Sequence, residues 1–560
     1  MSVPPPVPPT STTHPTAILR IKIHDLKNVR GFSYFNPICV AYEQRVVEGL
    51  DDCEWHEIGR IECFGDDYNF IFDTPIRTEY IPEIEQNIKI DVYGNGSRYL
   101  ALKSQQFISS IEFPLSRVIS SPGGVYSQEL PIKDNRKTNG SIDITSELVN
   151  ISNDGIYFSL AGRHLDKKDL FGKSDPYIKI LRVIEGRRVL VYRTEPIRQT
   201  LDPVWSEFVI RIDEFCGNNY DERVVFECWD WDEGSSDDFI GECSISLSEI
   251  QGNGGSFSIP LIDPKKAGKK KRYVNSGELI FNGHSIRPFY SFNDYVGGGC
   301  KLNFIIAVDF TNGSGFSGSV NFLHRLGEAP NQYERALRSI GNIVLSYDCD
   351  KNVSVYGFGA YSKERDLSFF PLNGSPESPG IEGVEGIIDS YRSFVSDYCA
   401  GDMVFTPVFG QLNSIVEANA GSPGSNYFII FILTAGRMRD CTGVLSAITY
   451  ACKNLPVSFV FVGIGKGRFD TLEYFDGDSR PIYADKYDFA TRDIVQFVPF
   501  VCYEDSLEGF RCELFAEIPS QFCSFMNLRH VIPNGSFMGC TQPGYSQPQP
   551  VPGQPVYTQP

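Results

Sequence analysis

Leu165–Tyr177 reads LDKKDLFGKSDPY, and Cys228–Gly241 reads CWDWDEGSSDDFIG. In the first stretch Asp169 and Asp175 flank a loop that contains Gly172. In the second, Asp230 and Asp232 alternate at strand spacing, so both side chains leave the same face, and Asp238 follows across a short loop. Carboxylates gathered on two loops repel one another unless a cation joins them. A hard ion such as Ca²⁺ takes about six to eight oxygen ligands in flexible geometry, and this pattern supplies them. The alternative is a solvated acidic rim, which suits one isolated DxD better than two such loops bounded by strands. Asp166 and Asp237 are neighbouring acids without an assigned role.

Outward from these loops, the chain changes texture once. From about 17 to 285, short stretches alternate apolar and polar residues: Ala17–His24, Ile88–Val92, Tyr177–Leu181, Val224–Cys228 and Glu278–Phe281, separated by Gly, Asn, Asp and Pro. This predicts two antiparallel β-sandwiches, with a seam at the polar stretch Asp134–Ser141. From about 300, the apolar strands Asn303–Val308, Val353–Phe358, Phe428–Leu433 and Val457–Val462 alternate with helical periods. Tyr333, Ala336, Leu337, Ile340, Ile343, Val344 and Tyr347 form one helix face, and Ile381, Val384, Ile388, Tyr391 and Val395 another. Strand–helix alternation predicts an α/β unit with a mostly parallel sheet. The expected organisation is a Pro-rich N-terminus (1–16), sandwiches over 17–135 and 141–285, an α/β unit over 286–530, and a Pro/Gln/Tyr-rich tail (531–560). Both ends are expected to be disordered.

The formal net charge of −19 excludes bulk attraction to nucleic acid. No apolar run reaches the roughly 18 residues that a spanning helix needs. The start is Pro-rich rather than basic-then-apolar, so no secretory signal is expected, and the 15 cysteines are expected as free thiols in a reducing cytosol. HExxH, G-x-S-x-G and P-loop patterns are missing, and GIGKG at 463–467 lacks the P-loop ending, so no enzyme is expected.

KSDPYIKI, TLDPVW at 200–205 and DWD…DDFIG together resemble a C2 domain of the synaptotagmin type. The resemblance implies Ca²⁺ ligands at Asp169, Asp175, Asp230, Asp232 and Asp238. It also implies membrane contact by the loop-tip residues Leu170 and Phe171. The preceding unit, with FNPICVAY, resembles a damaged copy: Arg30, Asn36, Gly94, Gly96 and Gln106 stand where the five aspartates belong. It is not expected to bind Ca²⁺ in the usual way. The basic run KKAGKKKR carries Lys265, Lys266, Lys269, Lys270, Lys271 and Arg272, a candidate contact for anionic headgroups.

NFIIAVDFTNGSG at 303–315 resembles the adhesion-type metal motif of von Willebrand factor A-type domains. Asp309 and Thr311 match it. Gly313 replaces a serine beside Ser314, Ala435 replaces the aspartate of a TDG loop, and the middle-loop threonine has no clear equivalent near Asp402, with Thr406 a possible substitute. This degenerate set is not expected to hold Mg²⁺ tightly. YSFNDYVGGGCKLNF at 290–304 and RDIVQFVPF at 492–500 resemble segments of copines, a family with two C2 domains followed by an A-type domain. The resemblance implies a calcium-dependent phospholipid-binding protein. It would be cytoplasmic, recruited to the plasma membrane or other membranes when calcium rises, act in trafficking and signalling, and present its A domain to protein partners. A calcium-independent scaffold is the alternative.

Overall fold

The computed structural model describes residues 15–534 except 27–35, 47–52, 63–68, 73–74, 83, 96–101, 103–104, 122–123, 132–137, 150–151, 169–171, 185, 233–235, 270–271, 312–321, 348–351, 362–365, 397–398, 402–403, 437, 439, 477–481, 483–489 and 491. Two sandwiches and an α/β unit follow one another.

In the first sandwich, one sheet runs Cys53–Glu62, Asn36–Val46, Asn87–Asn95, Gln106–Pro114. The facing sheet is built on Thr16–His24 and Thr138–Val149. Alternation explains the pairing: Ile21 and Ile23 from one strand and Ile142 and Ile144 from the other point into the same core. The second unit therefore does not begin at residue 141. Thr138–Val149 pairs along Thr16–His24, so the polar stretch Asp134–Ser141 runs into a strand of the first sandwich and is not a seam. Strand Asp154–Arg163 opens the second.

The second sandwich packs the sheet Phe208–Arg211, Asp154–Arg163, Glu278–Pro288, Phe257–Pro260 on the sheet Arg187–Arg193, Pro176–Ile184, Arg223–Asp230, Asp238–Ser246. Phe158, Phe226 and Phe281 meet in its core. Arg182 joins the two sandwiches by donating to Glu147 at 2.9 Å.

The third unit has strands in the order Asp366–Pro371, Asn352–Tyr361, Lys301–Asp309, Asn426–Thr434, Val457–Gly463, Val495–Pro499. Four neighbouring pairs are parallel. The sheet as a whole is mixed, because Asp366–Pro371, Gly380–Glu382 and Cys399–Ala400 all add antiparallel to Asn352–Tyr361. Asp366–Pro371 follows its partner by a connection too short for the crossover that a parallel pair needs. Separate cores fill the two faces. The helix Gln332–Tyr347 buries Tyr333, Ala336, Leu337, Ile340 and Val344 in one of them. The unit seats against the second sandwich where the His530 ring centre lies 5.8 Å from that of Tyr157 and Arg287 Nη1 meets His530 Nδ1 at 3.1 Å. Among the described residues no helix is long and apolar enough to cross a membrane.

Candidate metal centre

Strand register builds the site. Pro176 opens its strand, a place where proline costs no ladder bond, and pairs with Asp230, the last residue of Arg223–Asp230. Asp230 in turn pairs with Asp238, the first residue of the next strand. Asp175, Asp230 and Asp238 thus stand at one end of one sheet. Asp230 is fully buried and Asp175 nearly so, whereas Asp238 is exposed and Asp232 half-buried. The Asp175 amide donates to Asp230 Oδ1 at 2.5 Å, and the Trp231 amide donates to the Asp175 carbonyl at 3.1 Å. Asp237 fastens the second loop: it accepts from the Asp232 amide at 3.2 Å and from the Tyr177 hydroxyl at 2.6 Å.

A cation already faces this cluster. Arg198 Nη1 donates to Asp175 Oδ2 at 2.6 Å, with its guanidinium 4.2 Å from the Trp231 ring centre. Gln199, in the left-handed region at φ 51°, turns its amide onto Asp175 Oδ1 at 2.6 Å. Among the described residues no three His, Cys, Asp or Glu side chains stand together as a ready ligand set. The carboxylates share an edge while Asp175 is turned to Arg198. The donor chemistry fits a hard divalent cation: all oxygens, anionic, carried on strand ends and loops that can adjust. Asp169, Leu170 and Phe171 lie outside the described residues.

The basic run begins in the helix Pro264–Lys269. Lys266 is held internally, donating to Asp166 Oδ2 at 2.5 Å, where Ser276 also donates at 2.8 Å. Burial pushes the Asp166 carboxyl up, but the bonds from Lys266 and Ser276 outweigh it and hold it below the ordinary range. Lys265, Lys269 and Arg272 are exposed; Lys270 and Lys271 lie outside the described residues.

In the first sandwich the same register carries different side chains. Pro37 pairs with Gly94, and Gly94 with Gln106. Asn36 occupies the place of Asp175; Arg30 and Gly96 are outside the described residues.

In the third unit Asp309 ends its strand fully enclosed. Its Oδ1 accepts from the Thr311 amide at 2.8 Å and its Oδ2 from the Thr434 hydroxyl at 2.6 Å. Burial pushes its carboxyl above the ordinary value, against the bonds from Thr434 and Thr311. His324 bonds the Asp309 carbonyl at 3.0 Å and the Tyr391 hydroxyl at 2.8 Å, and burial depresses its pKa to about 3, so it is neutral. Thr406 is engaged elsewhere: its amide donates to Asp440 Oδ2 at 2.5 Å, where Asp440 holds the start of the helix Thr406–Asn419. Gly313, Ser314 and Asp402 lie outside the described residues. Arg198 and Asp440 carry no local sequence signal, each acting on a residue at least 23 positions away, whereas Thr434 stands at the threonine of the TDG-like stretch.

A family model for copines matches residues 322–534, and a C2-domain model matches residues 158–261. Among solved structures, BON1-C2B is similar at 23% identity, covering 24% of this chain and 93% of its own, with a TM-score of 0.21. The manganese-loaded Plasmodium vivax TRAP protein is similar at 12% identity over 36% of this chain and 70% of its own, with a TM-score of 0.25. Copine-B of Dictyostelium discoideum is 31% identical over 537 residues, which is 94% of this chain and 98% of that protein. With similarity running through both sandwiches and the α/β unit, the chain belongs to the copine family.

Proposed function

We propose that this copine binds anionic phospholipid in response to Ca²⁺ through the loop end of its second C2 domain, and that its A-type domain presents a surface to protein partners. The observation that supports this reading is the register that sets Asp175, Asp230 and Asp238 at one sheet end, with Asp232 two residues beyond. Without a counter-ion this end is negative and repels an anionic surface. Bound calcium would supply the positive charge that cancels this field and open coordination positions for phosphate oxygens. Asp230 anchors the set because the Asp175 amide holds it in place. Arg198 competes with calcium for the Asp175 carboxylate. Lys265, Lys269 and Arg272 would then add charge attraction of about 1 kcal/mol per cation near the surface. The switch changes charge with little change of fold. We assign no catalytic step to the chain, and we read the first sandwich and the Asp309 site as structural rather than metal-sensing.

The test is co-sedimentation of the full chain with phosphatidylserine vesicles, with calcium and with chelator. Wild type should pellet only with calcium. Asp230→Asn with Asp232→Asn should not pellet, while its fold persists, because asparagine keeps an acceptor for the Asp175 amide. Pelleting in chelator would favour the calcium-independent scaffold.

A further inference from the structure

Cys53–Glu62 is an edge strand of the first sandwich, yet it carries an ion pair that is sealed from water. The side chains of Glu57 and Arg60 are 5% and 7% exposed. Arg60 donates twice to Glu57, at 2.7 and 2.9 Å. The atoms that cover the pair come from the far end of the chain. Arg60 Nη1 donates to the Cys502 carbonyl at 2.9 Å, and its guanidinium lies 4.3 Å from the Tyr503 ring centre. From the other side the Ser506 hydroxyl donates to Glu57 Oε2 at 3.0 Å while accepting from the Gly509 amide, also at 3.0 Å. Gly509 lies so close that a Cβ there would stand 2.7 and 2.8 Å from the two Glu57 oxygens. Burying an ion pair costs several kcal/mol of desolvation, on the order of what its partners return, so it persists only where hydrogen bonds complete it. Here the A domain completes it.

Beside this contact is a cleft of about 1480 Å³ between the three domains. Its C2 walls bear Lys22 and Arg77 from the first sandwich and Arg187 from the second. Its A-domain wall bears Glu473, Glu513 and Glu517. The walls are opposite in charge, an arrangement that orients docking.

We propose that the strand Cys53–Glu62 is a docking surface for the A domain of the same chain. Seated there through Glu57 and Arg60, the A domain holds its acidic wall over basic faces of both C2 domains and so withholds those faces from anionic lipid. The docking half stands on the contacts alone; the lipid half rests on the function proposed above.

Gly509→Glu in the full chain tests it. Position 509 is the third residue of the helix Leu507–Leu514, whose N-cap is Ser506, so glutamate there completes a capping box and favours the helix itself. The same carboxylate opposes Glu57. Arg60→Met attacks the contact from the other partner. Small-angle scattering and hydrogen exchange, without calcium or lipid, should show a larger radius of gyration and loss of protection over 53–62 in both variants. The calcium needed for half-maximal binding to phosphatidylserine vesicles should fall about fivefold, the low end of ordinary coupling between sites. Unchanged radius and protection in both variants would overturn the docking surface. An opened chain with an unchanged calcium requirement would overturn the withholding of lipid. A wild-type chain that never binds vesicles would refute the proposed function, while the scattering and exchange results would still decide the docking.

Discussion

In the second sandwich Pro176 pairs with Asp230 and Asp230 with Asp238; in the first, Pro37 pairs with Gly94 and Gly94 with Gln106. Even the irregularity beside them coincides, between Cys228 and Trp229 in one and between Val92 and Tyr93 in the other. The paired core residues match in burial: Ile178 with Cys228, and Cys39 with Val92, are all fully enclosed. The fold is therefore carried by inward-facing positions that both domains retain. The strand ends face the loops, and there the first sandwich carries Gly94 and Gln106 in the same ladder positions as Asp230 and Asp238. One scaffold can keep its shape and shed its charge, so the difference in chemistry lies wholly at one end.

The largest expected effect that separates the two ends is on calcium itself. Asp232→Asn should raise the calcium midpoint of vesicle binding by about 10- to 100-fold, since ligand charge sets affinity in oxygen-ligand sites. A midpoint within twofold of wild type would mean that the second domain does not carry the response. The A domain offers a contrast of another kind, an enclosed aspartate held by hydrogen bonds. Asp309→Ala strands the Thr311 amide and the Thr434 hydroxyl. It should cost about 1–3 kcal/mol of stability, read by thermal unfolding, with the calcium midpoint unchanged. Smaller still is Arg198→Gln. Removing the cation that competes for Asp175 should lower the calcium midpoint by about three- to tenfold, the equivalent of roughly 1 kcal/mol for a partly exposed pair. A higher midpoint would show that Arg198 supports the bound state. Gln106→Ala, at the corresponding end of the first sandwich, should change nothing beyond about twofold, within the scatter of an ordinary surface substitution.

Local patterns carried much of this into the sequence. The acidic loops were visible in the sequence, although the strand ends at Asp230 and leaves Asp232 beyond it, and Gly94 and Gln106 could be matched to Asp230 and Asp238 by counting from the two strand motifs. The helix face of Tyr333, Ala336, Leu337 and Ile340 was visible in its period. What stayed hidden depends on partners far along the chain. Thr138–Val149 alternates like any strand, and only its pairing with Thr16–His24 assigns it to the first sandwich rather than the second. The mixed sheet arises from short return strands that carry no signal of direction. Arg198 lies outside both acidic loops, and Glu57 meets Ser506 across 449 positions. Lys266 looked like one more exposed cation until Asp166 took it.

Equilibrium dialysis of calcium against the full chain addresses the asymmetry of the two ends most directly. Wild type should take up calcium saturably, and Asp230→Asn with Asp232→Asn should show no saturable uptake below about millimolar, the weak end of protein calcium sites. Wild-type uptake by that double variant would place the calcium elsewhere, in the first sandwich or beside Asp309, and would contradict the assignment of the second domain as the calcium sensor.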